Sequence, residues 1–393
     1  MKKKQKKRLS VVLERLEHRQ LFANYSVVGS TLFVSNLSGL APTFTAVVAP
    51  GTITATDDGG PTLVFAATSL NITGTNLNDT IAITGGGTLV GKLTVKGGNG
   101  NDLVSITPAG VTGDVKVSSG VGDDTIVVST AAAGHVKLDD TTGNDTALIL
   151  GSQGDDVKIS GFNIVTVASI ANDSVTIDKP DKLPVTITTA GTIAEDLNIT
   201  TGNAADGINL LGLVARNVSV KSGEGNDIIT VAGLISGKAT VNSGSGIDMT
   251  TLAGTIAGDA SITDGDGNNT VTISGSVAGN ATVKLGNGTN VLDVSGTIAG
   301  NAKITLGNGA NTATFSTAPG GTLTWKSGNG INIVTLRGTA PYDLSMKFGS
   351  GADSLTFSDA TTVSGLIDMG LGIDVLNQGP AIFGAGLTIL NVP

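Results

Sequence analysis

From residue 218 onward the chain repeats a fixed pattern of apolar and polar positions with a step of 21 residues, and a Gly-x-Gly-x-Asx unit sets its phase. That unit begins at Gly223, Gly244, Gly265, Gly286, Gly307, Gly328, Gly349 and Gly370. Three residues before the first Gly stand Val220, Val241, Ile262, Val283, Ile304, Trp325, Met346 and Ile367. Five residues before it stand Val218, Ala239, Ala260, Ala281, Ala302, Leu323, Leu344 and Gly365, and Ser, Thr or Lys usually separates the two columns. Six and eight residues after the Gly come pairs such as Ile229 and Val231, Val271 and Ile273, Leu292 and Val294, and Leu355 and Phe357. Alternation with a period of two is the signature of a strand with one buried face. A shorter apolar position follows at Ile235, Ile256, Val277 and Ile298, flanked by Gly on both sides. Each coil is therefore predicted to hold three short strands and three turns.

Strands that recur once per coil in the same direction pair in parallel with their copies in the next coil, each coil burying its apolar stripe against its neighbours. The pattern predicts an all-β fold, a single-stranded right-handed parallel β-helix (β-solenoid) with about 21 residues per coil. Upstream the period loosens, because Asp102, Asp124 and Asp145 end similar turns, and Asp206 lies one full step before Asp227. Pro180 and Pro184 interrupt any ladder between residues 146 and 205. The expected organisation is a basic leader over 1–24, an N-terminal cap with the first strands over 25–70, irregular coils over 71–210 and regular coils over 211–393. Leu387, Ile389 and Val392 are read as a final strand with an open edge, a feature that invites end-to-end self-association.

Composition narrows the class. There are 57 Gly and no Cys, with 3% aromatic and 14% charged residues, and the abundance of Val, Ile and Thr favours strand. The absence of Cys excludes a disulfide framework, thiolate catalysis and Cys-type zinc sites. No apolar run is long enough for a transmembrane helix. The formal net charge is −9, but the first 24 residues carry +6 and the remainder −15. An acidic body repels the phosphate backbone, so no nucleic-acid partner is expected.

The leader itself is informative. Leu9, Val12, Leu13, Leu16 and Leu21 fall near helical spacing behind a Lys/Arg-rich start. The segment Leu16-Glu17-His18-Arg19-Gln20-Leu21-Phe22-Ala23 resembles the LEPR-x-L-L region at the start of planctomycete exported proteins, with His18 where Pro is usual and Phe22 where the second Leu is usual. The resemblance implies export, and so a secreted or cell-surface location.

The sharpest column lies four residues after the first Gly: Asp227, Asp248, Asn269, Asn290, Asn311, Asn332, Asp353 and Asp374. Gly permits positive φ in a tight turn, and an Asx side chain can bond its own backbone or its stacked copy, so an Asx ladder capping every coil is expected. The same unit, most clearly Gly97-Gly98-Asn99-Gly100-Asn101-Asp102-Leu103, resembles the calcium β-roll of repeats-in-toxin proteins. That resemblance implies calcium held at Asp102, Asp123, Asp124, Asp227 and Asp248. The period differs, however, since the β-roll repeats every nine residues, and half of the Asx residues in the regular coils are neutral Asn, whereas calcium prefers carboxylates. A structural turn is the preferred reading.

A row of Thr230, Thr251, Thr272, Thr314, Thr335 and Thr356 resembles the outward array of ice-binding β-helices, but it is one residue wide, and Thr is common on strands. Many polysaccharide lyases and hydrolases are parallel β-helices, and fold does not decide function. The body has a single His, His135, with Arg216 and Arg337 far apart, and its carboxylate pairs (Asp57 and Asp58, Asp139 and Asp140, Asp155 and Asp156) read as solvated turns. Trp325 falls in an inward column and reads as core. The expected function is that of an exported, non-catalytic structural element such as an adhesin, matrix or cell-envelope protein. Its expected partners are the cell envelope, extracellular polysaccharide or other surface proteins. A calcium-binding β-roll protein and a β-helical polysaccharide lyase or hydrolase are the alternatives.

Overall fold

A computed structural model describes residues 23–37 and 42–392; the helix expected near Leu9–Leu21 lies outside the described residues. The fold is a parallel β-solenoid with about 21 residues per coil, and no helix occurs among the described residues. No helix there is long and apolar enough to cross a membrane. The chain divides into two compact units, the first reaching residue 133 and including 139–143, the second comprising 134–138 and the chain from 144 onward.

The first unit opens with hairpins. Asn24–Val28 pairs antiparallel with Thr31–Ser35, and Thr43–Ala49 pairs antiparallel with Thr52–Asp57, to which Leu63–Phe65 adds a third antiparallel strand. Parallel stacking then begins, on two long faces and on a short third where Thr88–Leu89 pairs with Gly110–Val111. Ser69–Thr73, Leu93–Asn99 and Val115–Val121 form one ladder, and Thr80–Thr84, Leu103–Ile106 and Thr125–Val128 the other.

In the second unit the first face carries the strands that precede the turn unit and the second face those that follow it. Val241 lies opposite Ile262, and Ile262 opposite Val283, so the columns inferred from the period are vertical neighbours. Alternation explains the burial: along Ala281–Leu285 the residues Ala281, Val283 and Leu285 are buried, while Thr282 and Lys284 are not. Trp325 is fully buried opposite Met346, its indole N–H donating to the Ser327 hydroxyl at 3.2 Å. The stretch read as irregular keeps register, with Thr146–Ile149 stacking on Ile164–Val167 and that strand on Thr186–Thr189.

The third face differs from expectation. Its sheet holds seven two-residue strands, from Ile170–Ala171 to Thr297–Ile298, and then ends. Pro319 takes the next place in that column. A proline has no N–H to give to a ladder, so the strand cannot be extended through it.

Candidate functional site

The Asx column is a buried ladder that runs inside the turns. In the second unit the N–H of Asp206 donates to Asp227 Oδ1 at 2.9 Å, that of Asp227 to Asp248 Oδ1 at 3.0 Å, and that of Asp248 to Asn269 Oδ1 at 3.1 Å. Asn332 and Asp353 continue the pattern toward Asp353 and Asp374. The first unit repeats it, with the Asp79 N–H donating to Asp102 Oδ1 and the Asp102 N–H to Asp124 Oδ1. All these side chains are buried. Of the residues that the β-roll resemblance assigns to calcium, Asp102, Asp124, Asp227 and Asp248 are therefore ladder members, whereas Asp123 is exposed.

Asp and Asn shape the turn differently. The amides of Asn269, Asn290, Asn311 and Asn332 donate to the carbonyl of the first Gly of their own turn, Gly265, Gly286, Gly307 and Gly328. None of those four glycines has positive φ, whereas Gly98, Gly120, Gly223, Gly244 and Gly370, each four residues before an Asp, do. An amide can pull that carbonyl inward; a carboxylate, with no hydrogen to give, cannot. Gly202 before Asp206 and Gly349 before Asp353 are the exceptions. Asn290→Asp is thus expected to cost about 1–3 kcal/mol, since it removes the donors to Gly286 O and Asn311 Oδ1 and leaves buried acceptors unpaired. Thermal unfolding at neutral pH against wild type checks this, and the deficit should shrink on acidification as the new carboxyl takes up a proton.

Beside the ladder runs a second inward column that the period did not expose. One residue beyond the paired positions Asp178, Thr200, Lys221 and Asn242 lie Lys179, Thr201, Ser222 and Ser243, all buried, followed by Asp264, Leu285 and Leu306. Ser, Thr, Lys and Asp give this column the look of surface, unlike the apolar columns three and five before the Gly. Its apolar members Leu285, Leu306, Phe348 and Met369 were the available signal. Lys179 bonds the Gly161 carbonyl and pairs with Asp181 at 3.0 Å.

Burial dominates the acid chemistry. It pushes the Asp102 carboxyl up to about 7 against the pull of the Asp79 N–H, with the charges of Asp124 and Asp79 adding to the rise. It pushes Asp206 and Asp264 up to about 6, and raises Asp227 and Asp248 against the nearby hydroxyls of Ser222 and Ser243.

On the outer surface of the same unit, Asx residues form ladders of the opposite sense. The Asn280 N–H donates to Asp259 Oδ1, the Asn301 N–H to Asn280 Oδ1 and the Thr322 N–H to Asn301 Oδ1. Asp266, Asn287, Asn308 and Asn329 do the same at the neighbouring turn. These N–H donors hold Asp259 and Asp266 below the usual carboxylate range. Lys238, Thr240, Asp259, Ser261, Asn280 and Lys303 line a shallow groove of about 460 Å³.

The remaining candidates are dispersed. His135 Nδ1 comes within 3.4 Å of Asp155 and 3.9 Å of Asp156 on the exposed surface, a proximity the sequence did not predict. Arg216 pairs with Glu195 one coil away. The Thr row is half-buried and broken by Asp293, and it lies beside exposed Ile228, Met249, Val291 and Ile333. Compared with known proteins, the chain matches no family model, no curated protein and no solved structure.

Proposed function

We propose that the chain is an exported structural protein of the cell surface or extracellular matrix, without catalysis of its own, that contacts envelope polysaccharide or other surface proteins. The observation that carries this reading is the engagement of its outward polar side chains. Asp259, Asn280 and Asn301, like Asp266, Asn287, Asn308 and Asn329, are tied to the backbone of the following coil. Groups fixed in this way brace the scaffold instead of moving protons. The groove beside them sets the ammonium groups of Lys238 and Lys303 and the Asp259 carboxylate, 3.7 Å from Lys238, among carboxamides and hydroxyls, which is chemistry suited to the hydroxyls of sugars. The basic leader supports export.

Full chain and a version lacking residues 1–24, both tagged at the C-terminus and expressed in a planctomycete host, provide the test. The full chain should be degraded when intact cells are treated with protease, and the truncated chain should be protected inside. Full chain that stays protected in the cytosol would overturn the proposal.

A further inference from the structure

The second unit contains one coil whose interior breaks the pattern of its neighbours. In the column that holds Ser222 and Ser243 on one side and Leu285 and Leu306 on the other, the residue is Asp264, which is 2% exposed. Among the described residues neither of its carboxylate oxygens has a hydrogen-bond partner. The Ser243 hydroxyl, the Thr250 hydroxyl and Asp248 Oδ2 are also buried and without partners. These groups are neighbours: the hydroxyls of Ser243 and Thr250 and the charge of Asp248 all act on the Asp264 carboxyl. Five oxygen atoms thus converge in a sealed interior, where the two hydroxyls lean on the Asp264 carboxyl without completing a well-formed hydrogen bond.

Two further observations fall on the same coil. The ladder between Ala239–Gly244 and Ala260–Asp264 has a bulge that skips Ser243 and sets Gly244 opposite Asp264. Bulges commonly re-aim side chains next to functional sites. The turn geometry also changes here, since Gly244 has positive φ and Gly265 does not. A buried carboxylate with no partner is costly, and nature ordinarily satisfies it with a counter-charge or a proton. No Lys or Arg is among the charges acting on Asp264, which are those of Asp248 and Asp227.

We propose that the interior of this coil holds a single calcium ion, coordinated by Asp264, Asp248 Oδ2 and the hydroxyls of Ser243 and Thr250, and captured as the coils close on folding. Two carboxylates balance a divalent charge, and carboxylate and hydroxyl oxygens are the donors a hard cation takes. Magnesium, which keeps several of its own waters, suits a sealed site less well. The site differs from the one the β-roll resemblance implies, because its central ligand comes from a strand and not from a glycine turn.

The full chain is refolded with calcium chloride or with EDTA, passed through a desalting column, and assayed for bound metal and for its melting temperature. Wild type should retain a calcium ion that Asp264→Leu lacks, and calcium should raise the melting temperature of wild type but not that of the variant. Leu285 and Leu306 in the same column indicate that leucine fits there. Should Asp264→Leu fail to fold, the Ser243→Ala, Thr250→Val double variant replaces it and should weaken calcium retention at least tenfold. Equal calcium content in wild type and variant would overturn the proposal. So would a wild type that melts identically in calcium and EDTA while Asp264→Leu melts higher, because the carboxyl would then be satisfied by a proton alone.

Discussion

Gly267→Ala is expected to destabilise the second unit by about 4 kcal/mol or more, the range reserved for substitutions that break a backbone constraint. Gly267 has φ +146, which L-residues rarely adopt, and a Cβ there would lie 1.5 Å from the Gly246 carbonyl oxygen and 2.6 Å from its carbon. The atom it meets is backbone of the previous coil, so no side chain can swing aside. Relief would require prying two coils apart, and the ladders of both faces cross that interface. Gly86→Ala is the control, since a Cβ at that position meets nothing within 4 Å and the φ is not in the positive range; it should stay within about 0.5 kcal/mol of wild type. Urea unfolding followed by circular dichroism, with Trp325 fluorescence as a second probe inside the second unit, measures both.

Mild acid should stabilise the protein. Asp102 is pushed up to about 7, and Asp124, Asp206 and Asp264 to about 6, all from an ordinary 3.8. A carboxyl with a raised folded-state pKa binds more protons folded than unfolded between those two values, so stability falls as pH rises through that window. The stabilisation is complete near pH 4 and lost above about pH 7. Below that optimum the trend reverses, because Asp259 and Asp266, held low by N–H donors, lose favourable charge as they are protonated. The melting temperature measured from pH 8 to pH 4 in EDTA should climb by several degrees. Asp102→Asn and Asp206→Asn together should flatten the slope. A melting temperature that falls steadily over that range would sink the account.

Much of the architecture is legible in the sequence, and the reason is physical. A parallel solenoid repeats one backbone path, so Val220, Val241, Ile262 and Val283 meet the same environment and carry the same kind of side chain. Asn and Asp at the ladder position were equally legible, because only a short side chain with an oxygen at that distance reaches the N–H of the preceding coil. The consequences of choosing Asn or Asp were not, since the amide contact to the first Gly and the resulting change of φ depend on three-dimensional turn geometry. The column of Lys179, Thr201, Ser222, Ser243 and Asp264 escaped for a different reason. Hydrophobic patterning identifies interior positions by apolar character, and a polar residue buried beside a ladder carboxylate looks like surface. Pro319 could have announced the end of the third face. The approach of His135 to Asp156 was equally available, since the two stand one full step of 21 residues apart.

The fixed step of the coils has a genetic consequence. On the first two faces, residues 281–301 and 302–322 present nearly interchangeable layers, with Ala281 and Ala302, Val283 and Ile304, Leu285 and Leu306, and Asn290 and Asn311 in matching places, and they part only at the third, where Pro319 replaces Ile298. An in-frame duplication or loss of that stretch of coding sequence would leave every remaining layer seated on a compatible neighbour. The same event across Trp325 would juxtapose side chains of mismatched bulk. Copy-number change is therefore expected to be tolerated in the first stretch and penalised across Trp325, a difference that the melting temperatures of the two deletion variants would show.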